Sequence, residues 1–151
     1  MIFDRTQADV NNAIDIRTNK LQKFEALTDR EMEILEKGFF TITTLNRIDD
    51  KQGELAVLLT DMGYLQTPIV NKAWNNTQIF SREEFQRIIN NTNVLRQAFF
   101  VYKDTPNTPP VSFYWDDVNA LEKILYSLQQ AIDSVKASTI YAGNEYSLGG
   151  I

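Results

Sequence analysis

The 151-residue chain contains no cysteine and no histidine. Without cysteine there are no disulfides, no thiolate nucleophile and no cysteine-rich zinc site. Without histidine, the commonest general base and the commonest metal ligand are both missing. Glycine and proline are sparse, at six and four residues, so long regular elements have few interruptions. No apolar run approaches the roughly 20 residues that span a bilayer. The opening MIFDRTQADV lacks a basic n-region and an apolar h-region, so cytosolic synthesis is expected. Net charge is −5, with Lys and Arg scattered, which leaves no electrostatic footprint for nucleic acid. No G-x-x-x-x-G-K-[ST], no G-x-G-x-x-G and no D-x-D-x-D-G loop occurs, so neither a phosphate cradle nor a calcium loop is present and no cofactor is expected. No internal repeat or low-complexity segment is present.

What is there is hydrophobic periodicity. Val118, Leu121, Leu125, Leu128, Ile132 and Val135 recur at alternating steps of three and four, which places one apolar seam on a helix over about 117–137. Asn119, Glu122, Lys123, Gln129, Gln130, Asp133 and Lys136 read as its polar side, while Ile124 and Ala131 widen the stripe for several neighbours. Three upstream stretches carry helix-start signals: Thr6 with Asp9, Thr28 with Glu31, and Ser81 with Glu84, each spaced as a capping box. Behind them, apolar residues at helical spacing predict helices over about 7–25, 29–37 and 82–102. Leu45, Ile48, Leu55, Leu59 and Met62 predict another over about 44–62, with Gln52 as its polar interruption. Gly38 and Gly63 are placed to close helices in the left-handed conformation. Gly53, in mid-helix, costs about 1 kcal/mol against Ala unless a neighbour approaches there.

Residues 64–80 lack periodicity and read as a long loop containing Trp74, with a short extended piece at Pro68–Val70. Asp104–Pro110 holds three prolines and excludes regular structure, and Val111–Trp115 suits a short strand or an anchor. Thr139–Ile151, with its glycines, reads as an extended C-terminal arm. The expected architecture is therefore all-α: a bundle-like single domain of five helices over 1–138, followed by the arm 139–151.

The candidate sites are structural rather than chemical. Trp74 is an anchor or an interface residue, and Tyr141, Glu145, Tyr146 and Leu148 are candidate intersubunit contacts on the arm. Asn46 and Asn119 are structural polar residues that either bond backbone groups at helix starts or fix how two helices register. The acidic pairs Asp49-Asp50, Glu83-Glu84 and Asp116-Asp117 are read as complementing helix dipoles. A hydrolase would need two of them facing each other, for example Asp116 or Asp117 against Glu83 or Glu84.

Several fragments together resemble a known family. Lys37-Gly38-Phe39-Phe40 followed by Thr43-Thr44-Leu45-Asn46-Arg47-Ile48-Asp49 is similar to the K-G-x-Y-x-x-T-D-L-N-R-V-E stretch of small tail-associated structural proteins from phages and prophages of Gram-positive bacteria. Trp74, Ser81 with Glu84, then Asn91 and Leu95-Arg96, resemble the W…T-x-x-D…N-x-x-x-L-R run of those proteins. Asn119-Ala120-Leu121-Glu122-Lys123-Ile124-Leu125 is similar to their A-N-x-I-E-K-I-L helix, and Tyr141-Ala142-Gly143 with Tyr146 to their closing segment. Phe3–Val10 matches a common opening. Phe80 stands where the family usually has proline, and Asn144 and Glu145 are shifted against its closing glutamate. The resemblance implies an architectural role in a tail tip, baseplate or fibre, in a homo-oligomer with other virion proteins, without enzymatic activity, nucleic acid or membrane. A head–tail connector, a tail polysaccharide hydrolase and a small cytosolic regulator that binds a host protein are the alternatives it leaves open.

Overall fold

The computed structural model describes residues 1–112 and 114–149, and side chains through Thr139. Five α-helices account for nearly all of its regular structure, and no strand occurs among the described residues. The architecture is all-α, as the periodicity predicts. The helices are α1 (Gln7–Asn19), α2 (Asp29–Gly38), α3 (Ile42–Asp61), α4 (Arg82–Ala98) and α5 (Trp115–Gly149). None among the described residues is long and apolar enough to cross a membrane.

Caps set the starts. Thr6 and Thr28 each accept from the third helical residue, while Asp9 and Glu31 reach back to the cap's own N–H, so both capping boxes close. Ser81 also caps α4, but Glu84 does not complete a box: its carboxylate turns to Lys72 and Arg87. Thr41, rather than a residue near Thr44, caps α3, so that helix begins two residues earlier than the apolar seam suggests.

The core lies where α3, α4 and α5 meet. Ile48, Leu55 and Leu59 face Phe85, Ile88 and Leu95, and both rows face Leu121, Ile124, Leu125, Leu128 and Ile132. Every seam residue of α5 from Val118 to Ile132 is buried. The loop between α3 and α4 folds back onto this core, burying Leu65 and Trp74. Gly63 turns the chain out of α3 at φ 80°, the left-handed role its position predicts.

The other helices depart from the sequence reading in instructive ways. The first helix stops at Asn19, passes through a 3-10 turn (Leu21–Lys23) and ends with Phe24 in the left-handed region, so Leu21 and Phe24 leave the seam and become exposed. α1 and α2 pack chiefly on each other as a hairpin that projects from the three-helix core. Gly38 does not act through its φ. It ends α2 where α1 passes so closely that a Cβ would overlap the Asp9 carbonyl and the Ala13 methyl. At Gly53 the close neighbour is the side chain of Asn71 in the loop, not another helix. Pro68–Val70 and the Val111–Trp115 stretch contain no strand among the described residues.

The expected extended arm is also corrected: the backbone stays helical through Gly149. Nothing from Ser134 to Ala142 breaks a helix. Ser134, Ser138 and Thr139 donate their hydroxyls to the carbonyls of Gln130, Ser134 and Val135, one turn back, so the usual competitors with backbone hydrogen bonding are absorbed by the helix itself. The arm residues Tyr141, Glu145, Tyr146 and Leu148 have side chains outside the described residues.

Candidate functional site

Two buried polar networks and one surface cleft are the places where this fold concentrates chemistry. The first network centres on Glu122. Sequence periodicity assigns it to the polar side of α5, yet it is fully buried. Val118, Glu122 and Leu125 are themselves four and three apart, so the residue adjoins the seam. One carboxylate oxygen accepts from Arg47 on α3 at 2.7 Å and from Arg5 at 3.3 Å, and the other accepts from the Ile2 N–H. Arg47 reaches on to Glu36 of α2 at 2.6 Å. Burial pulls the Arg5 guanidinium below its ordinary pKa, and the adjacent Glu122 carboxylate opposes that shift. Residues 1–5 thereby form a strap across α5, and nothing in their sequence signals it.

The second network centres on Asp49, which is fully buried and lies within α3 rather than at its start. The helix-dipole reading of Asp49 is therefore wrong, because α3 begins seven residues earlier, at Ile42. Asp49 accepts from both terminal nitrogens of Arg87 at 2.6 and 2.8 Å, from the Trp74 indole N–H at 2.7 Å and from the Lys72 backbone N–H at 3.3 Å. Its hydrogen bonds are the leading cause that raises the Arg87 pKa. Arg87 also donates to the Val70 carbonyl at 2.7 Å, as does Asn91 at 2.8 Å. Gln52, the interruption in the α3 seam, donates to the Ile88 carbonyl and to Thr92, both at 2.8 Å. This network pins the loop to α3 and α4.

Trp74, a candidate interface residue, is 5% exposed and sits inside this network. The interface reading is corrected in favour of the anchor, since its ring packs on Phe80 with centroids 5.4 Å apart and Lys72 covers it at 4.3 Å. Asn46 accepts from the Trp74 N–H at 2.7 Å and donates to the Trp74 carbonyl at 3.1 Å. Asn119 does the same to Arg5, at 3.2 and 2.9 Å. Each asparagine is the fifth residue of its helix and bonds a distant backbone segment, so neither is a cap and neither sets the register of α3 against α5.

The acids considered for hydrolysis sit in two different environments. Lys72 and Arg87 hold Glu84 below the usual carboxylate range, the opposite of what a general acid needs. Asp117 is pushed up by burial and by Asp116, and accepts from the Ser112 hydroxyl. Among the described residues no group of three acidic side chains is placed to hold a metal ion.

The cleft lies at the base of the α1–α2 hairpin, where Val10, Phe39, Phe40, Trp115 and Val118 enclose about 250 Å³. Its walls are mainly apolar and aromatic, and Arg5 and Gln7 also line it. Comparisons with family models, with curated proteins and with solved structures find no match to this chain. The geometry alone therefore describes the site: internal polar networks in which nearly every buried side-chain group is paired, Arg47 Nε being an exception, and an apolar cleft open at the surface.

Proposed function

We propose that the chain is a non-enzymatic structural component of a bacteriophage virion, associated with the tail, baseplate or fibre and acting through protein–protein contacts. One observation supports this reading above the others. Nine residues within the segments that resemble phage tail-associated proteins take part in the buried networks: Arg5, Asn46, Arg47, Asp49, Trp74, Glu84, Asn91, Asn119 and Glu122. A pattern of polar residues spent on holding loops and straps to helices specifies a rigid fold, and such groups have few hydrogen-bonding positions left for a substrate.

The test is location. Mass spectrometry and immunogold electron microscopy of purified particles should find the chain at the tail or its tip. Labelling at the head–tail junction would instead identify a connector. Absence from the particle, with free protein in the infected cell, would overturn the proposal in favour of a cytosolic regulator. Release of reducing sugar from host surface polysaccharide by the purified chain would overturn its non-enzymatic part.

A further inference from the structure

The α1–α2 hairpin joins the rest of the molecule through one extended residue at each end. Before α1, Arg5 is buried and fixed. Its guanidinium donates to Glu122 at 3.3 Å, and the Asn119 side chain bonds both its backbone N–H and its carbonyl. Thr6 follows, extended at φ −128° and ψ 167°, and α1 begins at Gln7. After α2 the order is reversed. The helix ends at Gly38, Phe39 is extended at φ −118° and ψ 156°, and Phe40 is fixed, its ring 5.1 Å from Phe80 and 5.8 Å from Phe85. Hinges are commonly a few element-terminal residues of this kind, which absorb a backbone rotation while the elements on either side stay rigid.

Little apolar packing opposes such a rotation. Among the described residues no side chain of α1 or α2 belongs to the hydrophobic core. The close approach of Gly38 to Asp9 and Ala13 is internal to the hairpin. The ties that run from the helices of the hairpin to the rest are polar: Arg47 to Glu36 at 2.6 Å, Lys37 to Asp4 at 3.5 Å, and the Trp115 indole N–H to Gln7 at 3.4 Å. Arg47 and Glu36 both stay within reach of water, which weakens an ion pair, and the other two ties are long. Val10 and Phe39 contribute the hairpin's wall of the cleft of about 250 Å³, and Trp115 and Val118 contribute the wall on α5. Space between apolar walls forfeits dispersion contacts on both and leaves apolar area open to water, so narrowing it is favourable wherever the walls can approach.

The geometry points to a closing lever: the hairpin swings as a rigid body about Thr6 and Phe39, bringing Val10 onto Trp115 and Val118, while the Arg47–Glu36 ion pair braces it open. Arg47 is itself held by Glu122 at 2.7 Å, so the brace runs from the core to α2. The occupant of the cleft is then the chain's own hairpin. α1 is a lever of about 20 Å at 1.5 Å per residue, so a small rotation at the base redirects the exposed Leu21 and Phe24 at the tip.

The chain has no cysteine, so spin labels can be placed by substitution alone. Thr18→Cys on α1 and Thr60→Cys on α3 are exposed positions on the two units, and Thr60→Cys with Asn90→Cys on α4 supplies a reference within the core. Pulsed electron–electron double resonance on the full-length chain should give two distances between positions 18 and 60, and one between 60 and 90. Val10→Phe wedges the cleft and should remove one of the two. Glu36→Ala releases the brace and should raise the population of that same distance about two- to fivefold, the equilibrium factor of one partly exposed ion pair. Should circular dichroism show that Val10→Phe has lost helix, Val10→Met fills the cleft more gently and serves in its place. A single narrow distance between 18 and 60 in the native chain would overturn the inference. So would two distances that neither substitution redistributes, or a wedge and a brace release that favour the same one. The measurement is made on the isolated chain, so its outcome is independent of whether the chain is found in particles.

Discussion

The carboxamide of Asn46 engages both backbone polar atoms of Trp74, accepting from its N–H at 2.7 Å and donating to its carbonyl at 3.1 Å. The side chain thus acts as a one-residue strand partner for a loop that has no sheet to join. Asn46→Ala leaves two partly buried backbone groups unpaired, and each such group costs about 1–3 kcal/mol when water cannot replace the lost partner. We expect a loss of about 2 kcal/mol in urea unfolding, together with a shift in Trp74 fluorescence as the loop loosens. A variant with native stability and an unshifted emission would show that the clamp holds nothing.

Asp49 and Arg87 form a bidentate charged pair whose carboxylate is fully buried. Removing one partner of a buried pair costs about 3–5 kcal/mol, less here because Arg87 keeps Glu84 as a second carboxylate at 2.8 Å. Asp49→Ala should therefore destabilise strongly, since it also strips the Trp74 indole N–H and the Lys72 N–H of their acceptor. Replacing both partners, as Asp49→Ala with Arg87→Met, should recover part of that loss, because no orphaned charge remains. If the double variant is less stable than Asp49→Ala alone, the pair is not what carries the cost.

The helices were legible because their signals are local. Threonine and serine caps, and apolar steps of three and four, need no knowledge of the rest of the chain, so α2 and α4 start where those signals place them. The networks depend on residues far apart in sequence. Arg5 and Glu122 are separated by 117 positions, and an arginine beside a helix cap looks the same whether it meets water or a buried carboxylate. Glu122 lies at the edge of a seam, where a polar residue is ordinarily solvated, and its burial is tolerable because Arg47 of α3 and the strap residues Ile2 and Arg5 all pair its carboxylate. The 3-10 turn at Leu21–Lys23 was hidden for another reason: Leu21 and Phe24 continue the helical spacing after the helix has ended. Trp74 was legible as an anchor by size, but its partner Asp49 was not, since adjacent Asp50 made the two look like a helix-start pair.

Gly38 and Gly53 both lie in helices, yet substitution should act on them in opposite directions. A Cβ at Gly38 would overlap backbone, the Asp9 carbonyl, and a buried methyl on Ala13. Neither can move without separating α1 from α2, and overpacking of this kind costs about 1–3 kcal/mol. A Cβ at Gly53 would meet only the end of the Asn71 side chain, which can swing aside. There the gain in helix propensity, up to about 1 kcal/mol, should dominate. Thermal unfolding should accordingly rank Gly53→Ala at or above the native chain and Gly38→Ala below it. Hydrogen exchange in Gly38→Ala should rise across residues 7–38 while the α3–α5 core stays protected, and uniform exchange throughout would contradict the hairpin's separate packing.

Acid should loosen the same hairpin through its caps. The Lys20 ammonium, followed by the Thr28 backbone N–H, holds the Glu31 carboxyl down to about 2 from its ordinary 4.5. The Thr6 hydroxyl, followed by the Thr6 N–H, lowers Asp9 in the same way. A carboxylate whose pKa is lower folded than unfolded contributes stability above its unfolded pKa and loses it as pH falls through the folded one. The contribution of Glu31 is thus complete above pH 4.5 and gone near pH 2. Across that window the Thr28 N–H, which donates to Glu31 at 2.9 Å, and the Glu31 N–H, which donates to the Thr28 hydroxyl at 3.3 Å, should both lose exchange protection. Glu31→Gln can still accept at the cap but cannot titrate, so its hairpin should be weaker at neutral pH and flatter with acid. A native hairpin whose protection does not change between pH 4.5 and 2, or a Glu31→Gln profile that still falls as steeply, would remove these carboxylates from the account of how α1 and α2 are held.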